Sequence, residues 1–223
     1  AQKLYLELLK KRKNYKLFFL LGTTYLQTEE YEKAINFFND SIKIEPSFPD
    51  VYNNRGIALT KKKQYLESIN DFNKAISINK NYFDAHLNRG ISFRNLKKYD
   101  QSILSYKNCI KLKKQDPKIY NNLANVFVEL GNYDEALKSF NKAIQLNKNY
   151  AEAYFGRGKL FSSNKHTELA IKDFENTIKI KDDFDFLYGY LIHTKMKVCD
   201  WSNYEFLMNK IINGVKINKK MID

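Results

Sequence analysis

Small residues return in this chain at a fixed interval. Gly22, Gly56, Gly90, Ala124 and Gly158 lie 34 residues apart, with no insertion between them. The surrounding pattern returns with them. Four residues upstream stand Phe18, Tyr52, His86, Tyr120 and Tyr154, and three downstream stand Tyr25, Leu59, Phe93, Phe127 and Phe161. Tyr31, Tyr65, Tyr99 and Tyr133 come next, and Thr167 breaks that set. A second small slot (Ala34, Ser68, Ser102, Ala136, Ala170) precedes a large aromatic one (Phe38, Phe72, Tyr106, Phe140, Phe174). A third small slot closes the unit at Ser41, Ala75, Cys109, Ala143 and Thr177. One unit of this size cannot bury its apolar face alone, so stacked neighbours must complete the core.

Each unit reads as two amphipathic helices of about a dozen residues joined by a tight turn. The small slots let helices approach closely, and the aromatics fill the space beside them. Leu130-Gly131-Asn132 marks the turn inside the fourth unit, while Pro46 and Pro117 fall between units. With only 3 prolines and 8 glycines in 223 residues, little else interrupts the helices, and the 43% hydrophobic fraction suffices for a core.

The spacing resembles the tetratricopeptide repeat, with its aromatic, Leu-Gly, Tyr and later Ala, Phe, Ala and Pro. The resemblance covers five units: 15–48, 49–82, 83–116, 117–150 and 151–184. It implies an all-α solenoid, a right-handed superhelix of helix-turn-helix repeats. Arg55, Arg89 and Arg157 depart from it by standing where leucine is usual, which alters packing between repeats without changing the fold. At the start, Ala1, Tyr5 and Leu9 fit the slots of a second helix, so residues 1–14 read as half of a truncated repeat and the chain as a piece of a longer array.

In the resembled fold the first helices line the concave side. On those helices Asn54, Asn88 and Asn122 recur at the 34-residue period, with Asn53, Asn121 and Asn125 close by. Asparagine is a poor helix-interior residue, so its repetition needs a reason beyond propensity. A side-chain amide both donates and accepts, and a row of them suits the backbone of an extended polypeptide. Bridging between neighbouring helices, simple exposure to water and the abundance of asparagine along this chain are the competing explanations, and Leu20 and Gly156 break the row at its ends. Projecting the family's groove-facing slots adds Lys16, Lys61, Arg94, Lys118 and Lys159, offset by Asp50, Asp84, Glu129 and Glu152. That leaves one net positive charge there.

The net charge of +13 therefore lies mostly outside the groove. It does not describe a phosphate-tracking channel, because nucleic-acid affinity needs many phosphates neutralised together. No apolar run approaches a bilayer span of about 20 residues, and no signal-peptide pattern appears, which points to a cytoplasmic protein. Cys109 and Cys199 form neither a disulfide framework nor a metal-ligand spacing. No catalytic residue and no cofactor is indicated. His86 fills an aromatic slot, His166 lies near an inter-helix turn, and His193 has no nucleophile or ligand at useful spacing.

After Phe184 the periodicity decays, and residues 185–223 read as a degenerate repeat followed by a capping helix. Ser202 with Glu205 forms a capping-box pattern that predicts a helix from Asn203 to about Asn213. Its Phe206, Leu207, Ile211 and Ile212 are placed to cover the last repeat. The stretch HTKMKVCDWSNYEFLMNKI resembles the junction that follows the repeats of O-linked N-acetylglucosamine transferases and their bacterial relatives. That resemblance implies a downstream glycosyltransferase domain on the same chain, using a uridine-diphosphate sugar, and a substrate polypeptide held on the asparagine row. The alternative is a stand-alone adaptor or assembly scaffold.

Overall fold

Two helices per 34 residues are what the spacing demands, and the computed structural model contains them. It describes Tyr5, Glu7 and residues 14–113, 115–182 and 186–220. The half-repeat expected over residues 1–14 lies outside the described residues apart from Tyr5, Glu7 and Asn14, as does the repeat end at 183–185. The chain divides into two bodies, Ala1–Lys114 and Gln115–Asp223.

The first body holds α1 (Tyr15–Gln27), α2 (Tyr31–Ile44), α3 (Pro49–Lys61), α4 (Tyr65–Ile78), α5 (Phe83–Asn95) and α6 (Tyr99–Leu112). The second holds α7 (Pro117–Glu129), α8 (Tyr133–Leu146), α9 (Ala151–Ser163), α10 (Thr167–Ile180), α11 (Leu187–Met196) and α12 (Tyr204–Lys220). No strand occurs among the described residues. In each pair the two helices pack against one another, and each second helix then packs on the next first helix of its own body. First helices also touch directly: α1 with α3 and α3 with α5 in one body, α7 with α9 and α9 with α11 in the other.

Helix starts and stops follow local chemistry. Pro49 and Pro117 open α3 and α7 at positions where a backbone N–H has no helical partner to lose. Asn14 and Asp116 cap α1 and α7 by accepting from the amides of Lys16 and Lys118. Inside the first five pairs the first helix ends in the same way. The amides of Glu30, Gln64, Lys98, Asn132 and His166 reach back to the carbonyls of Tyr25, Leu59, Phe93, Phe127 and Phe161 at 2.8–2.9 Å. This closure puts the preceding residue in the left-handed region. Gly131 does so freely at φ 72°, but Glu29, Lys63, Lys97 and Lys165 sit at 57–63° with side chains attached. Lys63 is thus a strained turn residue. Replacing Lys63 and Lys97 with glycine is expected to raise stability by about 0.5–1 kcal/mol each, because a left-handed L-residue is costlier than the entropy glycine loses. The melting temperature of the double variant checks this.

The core is built from the aromatic and small slots together. A Cβ added at Gly22, Gly56, Gly90 or Gly158 would fall 2.5–2.8 Å from the ring of Phe38, Phe72, Tyr106 or Phe174. Glycine there is a contact surface for the ring sixteen residues later. All four rings are fully buried.

The arginines in the leucine slot organise a polar layer that the period alone does not show. Arg55 donates to both carboxylate oxygens of Asp71 at 2.6 and 2.7 Å, and its third bond goes to Asn39 of the preceding repeat. Arg157 repeats the arrangement with Asp173 and Asn141. These side chains pin two second helices to one first helix.

The C-terminal end departs from expectation. The last helix begins at Tyr204, one residue late, and reaches Lys220. Ser202 does not serve the expected capping box through its hydroxyl, whose oxygen accepts from the Lys195 ammonium at 2.9 Å. Lys195, only 7% exposed, also pairs with Asp200 at 2.8 Å and holds that carboxyl well below the usual carboxylate range, with the Ser202 hydroxyl and amide adding to it. Leu207 is buried, and Met208 and Ile211 pack against the same cluster on the last repeat. Phe206 and Ile212 are exposed, so only part of the expected apolar set covers that face.

Candidate functional site

The face formed by the first helices carries the predicted amides. In the first body they form a ladder across three helices. Asn88 on α5 donates to the Oδ1 of Asn53 on α3 at 3.1 Å, and Asn53 donates to Asn54 at 3.2 Å. Asn54 donates in turn to the Thr23 hydroxyl on α1 at 3.2 Å, and Thr23 donates to the Phe19 carbonyl. The repetition of asparagine therefore has a structural use here, as bridges between first helices. Each amide nitrogen in the ladder keeps a second hydrogen for another acceptor.

The second body treats the same slots differently. Asn122 and Asn125 on α7 are half-buried, and their side chains make no hydrogen bond among the described residues. Asn121 is buried, and its Oδ1 has no partner there. Thirty-five residues after Asn53 stands its donor Asn88; thirty-five after Asn121 stands Gly156, which has none to offer. A side chain could not be restored at 156 without cost, since its Cβ would meet the Phe140 ring at 2.5 Å.

Beyond Gly156 the face turns aromatic, which the asparagine search missed. Phe155 lies in the slot of Asn53 and Asn121 and meets Tyr190 edge-on, ring centres 5.5 Å apart. The Lys159 ammonium lies 5.1 Å from the Phe155 ring centre and 6.0 Å from that of Tyr190, within cation–π range of both. The break in the asparagine row was the available signal, because a slot that stays groove-facing must be filled by something else.

The predicted charges are distributed as follows. Lys61 is exposed at the end of α3, and Arg94 is half-buried near the end of α5. Asp50 accepts from the Tyr82 hydroxyl, whose proton is held more tightly by burial and by that carboxylate. Tyr150 is similarly pushed up to about 12, by burial first and then by Glu152 and Asp116.

Two of the three histidines serve packing. His86 is buried, with its Nε2 donating to the Lys80 carbonyl at 3.0 Å, as the Tyr52 hydroxyl donates to the Pro46 carbonyl one repeat earlier. His166 precedes α10 and meets Phe161 edge-on, and His193 is exposed. A recess of about 890 Å³ in the second body is lined by Tyr133, Asp134, Leu160, Phe161 and His166. Among the described residues no group of three His, Cys, Asp or Glu could hold a metal ion.

Burial pushes the His86 imidazole below its ordinary value, the Lys80 carbonyl pulls it partly back, and the Arg89 charge pushes it down further. A group that binds its proton less readily when folded stabilises the fold above its unfolded value and loses that contribution as pH falls. Stability is therefore expected to decline as pH drops below about 6.5. His86→Tyr, which installs the tyrosine found in three other repeats, should flatten that part of the profile in denaturation curves.

The repeat pattern is matched over residues 22–63, 92–131 and 124–165 by the family described as TPR repeat, and over 49–82 and 151–184 by that described as Tetratricopeptide repeat. The chain belongs to the tetratricopeptide repeat family. Solved tetratricopeptide-repeat structures share its fold at low identity. YrrB, described as a TPR protein with an unusual peptide-binding site, is 18% identical with a TM-score of 0.63, covering 88% of this chain and 100% of its own. The pilF protein of Pseudomonas aeruginosa is 16% identical with a TM-score of 0.75, covering 86% and 88%. A tetratricopeptide repeat protein of Parabacteroides merdae is 22% identical with a TM-score of 0.72, covering 86% and 76%. No curated protein matches the chain. None of the described helices is long and apolar enough to cross a membrane.

Proposed function

We propose that this tetratricopeptide-repeat chain holds extended polypeptide against the first helices of its repeats. The observation that carries the reading is the set of amides on that face. In the second body, Asn122 and Asn125 retain their donors and acceptors, while the unpartnered carbonyl oxygen of Asn121 is buried. Unspent amides beside an aromatic pair suit a ligand that offers backbone hydrogen bonds together with apolar side chains. YrrB lends support as a protein of this fold described with a peptide-binding site.

Asn122 and Asn125 are the right residues to test, because removing them breaks no hydrogen bond among the described residues. Peptides selected from a random displayed library should bind Asn122→Ala/Asn125→Ala about tenfold more weakly, a loss of about 1.4 kcal/mol, while its melting curve stays that of the parent. Affinity that is unchanged takes these residues out of the site. Affinity that collapses steeply with moderate salt would instead indicate charge-driven binding.

A second reading makes the chain the repeat region of a protein glycosyltransferase. The resemblance of the CDW phrase suggests it; in the fold that phrase is fastened through Asp200 and Ser202 to buried Lys195 with Trp201 56% exposed beside Tyr204, an arrangement that serves a cap equally well. The intact mass of the native gene product distinguishes the readings. A mass well above 26.4 kDa would call for assays with nucleotide sugars, and a mass near it would leave an adaptor.

A further inference from the structure

Three repeats of this chain place an arginine in the leucine slot, and only two of them answer it with an acid. Beside Arg55 lies a recess of about 320 Å³ whose walls include Asn39, Leu59, Glu67, Asn70 and Asp71. A shift of 34 residues moves those positions to Asn73, Phe93, Gln101, Leu104 and Ser105, around Arg89. The arginine and the first asparagine are kept. Both carboxylates are replaced by neutral side chains.

The hydrogen bonds record the difference. Arg55 and Arg157 each hold a carboxylate through Nε and Nη2 at 2.6–2.8 Å. Arg89 instead reaches the Ser105 hydroxyl through Nε at 3.3 Å, the Asn73 carbonyl oxygen through Nη1 at 2.8 Å, and the His86 Nδ1 through Nη2 at 3.5 Å. Among the described residues it has no ion pair. The Ser105 hydroxyl is already committed, since it donates to the Gln101 carbonyl at 2.9 Å. The cation is half-buried: Nε and Nη2 face buried Ser105 and His86, while the Nη1 link to Asn73 faces solvent and is the edge an incoming group can reach. Leu104, 58% exposed, lies where the Arg55 recess has Asn70.

We infer that Arg89 is a docking point for the carboxylate of an acidic partner polypeptide, a side chain flanked by an apolar residue that can rest on Leu104. The sister repeats identify the chemistry: a planar guanidinium in this slot is satisfied by a carboxylate received through two parallel N–H groups. A chain of net charge +13 also favours the approach of an acidic segment. Burial lowers the affinity of the Arg89 guanidinium for its proton, and the Cys109 thiol restores part of it. The site faces the second helices, through Asn73 on α4 and Ser105 on α6, and so is separate from the amide ladder that Asn88 joins.

Side-chain Nε–H resonances of arginine provide the test. Sodium acetate, titrated against sodium chloride at constant ionic strength, should shift the Arg89 resonance along a saturating curve and leave those of Arg55 and Arg157 in place. Ser105→Asp should abolish the acetate response and raise the melting temperature, since Asp71 and Asp173 already occupy that slot opposite Arg55 and Arg157. Should that variant fail to fold, Gln101→Glu, in the slot that Glu67 fills beside Arg55, should weaken the response instead. The capped peptide Leu-Glu-Leu should bind at least tenfold more tightly than acetate, and its Leu-Gln-Leu counterpart should not bind. The proposal is overturned by an Arg89 resonance that moves no more than its two counterparts. It is equally overturned by a response to phosphate without one to acetate, or by folded Ser105→Asp that titrates like the parent.

Discussion

Phe72→Ala is expected to destabilise the protein by about 3–5 kcal/mol, among the larger losses a single core truncation produces. The ring is fully buried and is the contact surface for Gly56, whose missing Cβ would fall 2.6 Å from it. Around it in the same cluster stand Ala58, Ala75 and Ala85. None of these alanines has atoms that can fold into the space a lost ring leaves, so Val51, Tyr52 and the isoleucines of the cluster would have to move to close it. That places the loss toward the upper part of the range, because the cost grows with the residual void. Phe72→Leu, which keeps most of the volume, should lose far less. Repeat arrays are stabilised by each repeat and its nearest neighbours, so amide exchange should quicken first in α3 and α4. Chemical denaturation supplies the number; a loss below about 1.5 kcal/mol would mean that neighbouring helices close over the gap, contrary to the rigidity assigned to these small slots.

Asp173→Ala tests the polar layer in the same way and should cost about 3 kcal/mol, since it leaves the Arg157 guanidinium without its acid at a largely buried position. The side chains of Arg157 and Asp173 are 19% and 4% exposed, so little water is available to replace the carboxylate. Removing both charges should be far milder. The fourth repeat already carries Leu123 and Ser139 in the two slots, both buried, and folds as its neighbours do. Arg157→Leu/Asp173→Ser is therefore expected to lie within about 1 kcal/mol of the parent. The double-mutant cycle separates the pair's coupling from the cost of stranding one charge. Equal losses in the single and double variants would show that the carboxylate matters for packing alone.

The all-α, helix-turn-helix architecture follows from the 34-residue order of small and aromatic residues. That order encodes contacts within a pair, such as Gly56 against Phe72, and sixteen residues across one turn is short enough to leave a mark in the sequence. The asparagine row was visible for the same reason: its members recur on one helical face. What the row does depends on residues 31 to 35 positions away, which meet only when first helices pack side by side. The sequence therefore showed Asn53 and Asn121 as equivalents, and only packing made one a bonded acceptor and the other an orphan opposite Gly156. The arginines stood out as departures from an apolar slot, but Asp71, Asp173 and Ser105 carry no hydrophobic period to flag them as the answering residues. Ion pairing is set by side-chain direction between helices, which periodicity does not record. The same limit applies at the end of the chain, where Ser202 and Glu205 satisfy a local capping pattern. Buried Lys195 takes the serine oxygen instead, because an ammonium withdrawn from water must find acceptors wherever the fold brings them within reach.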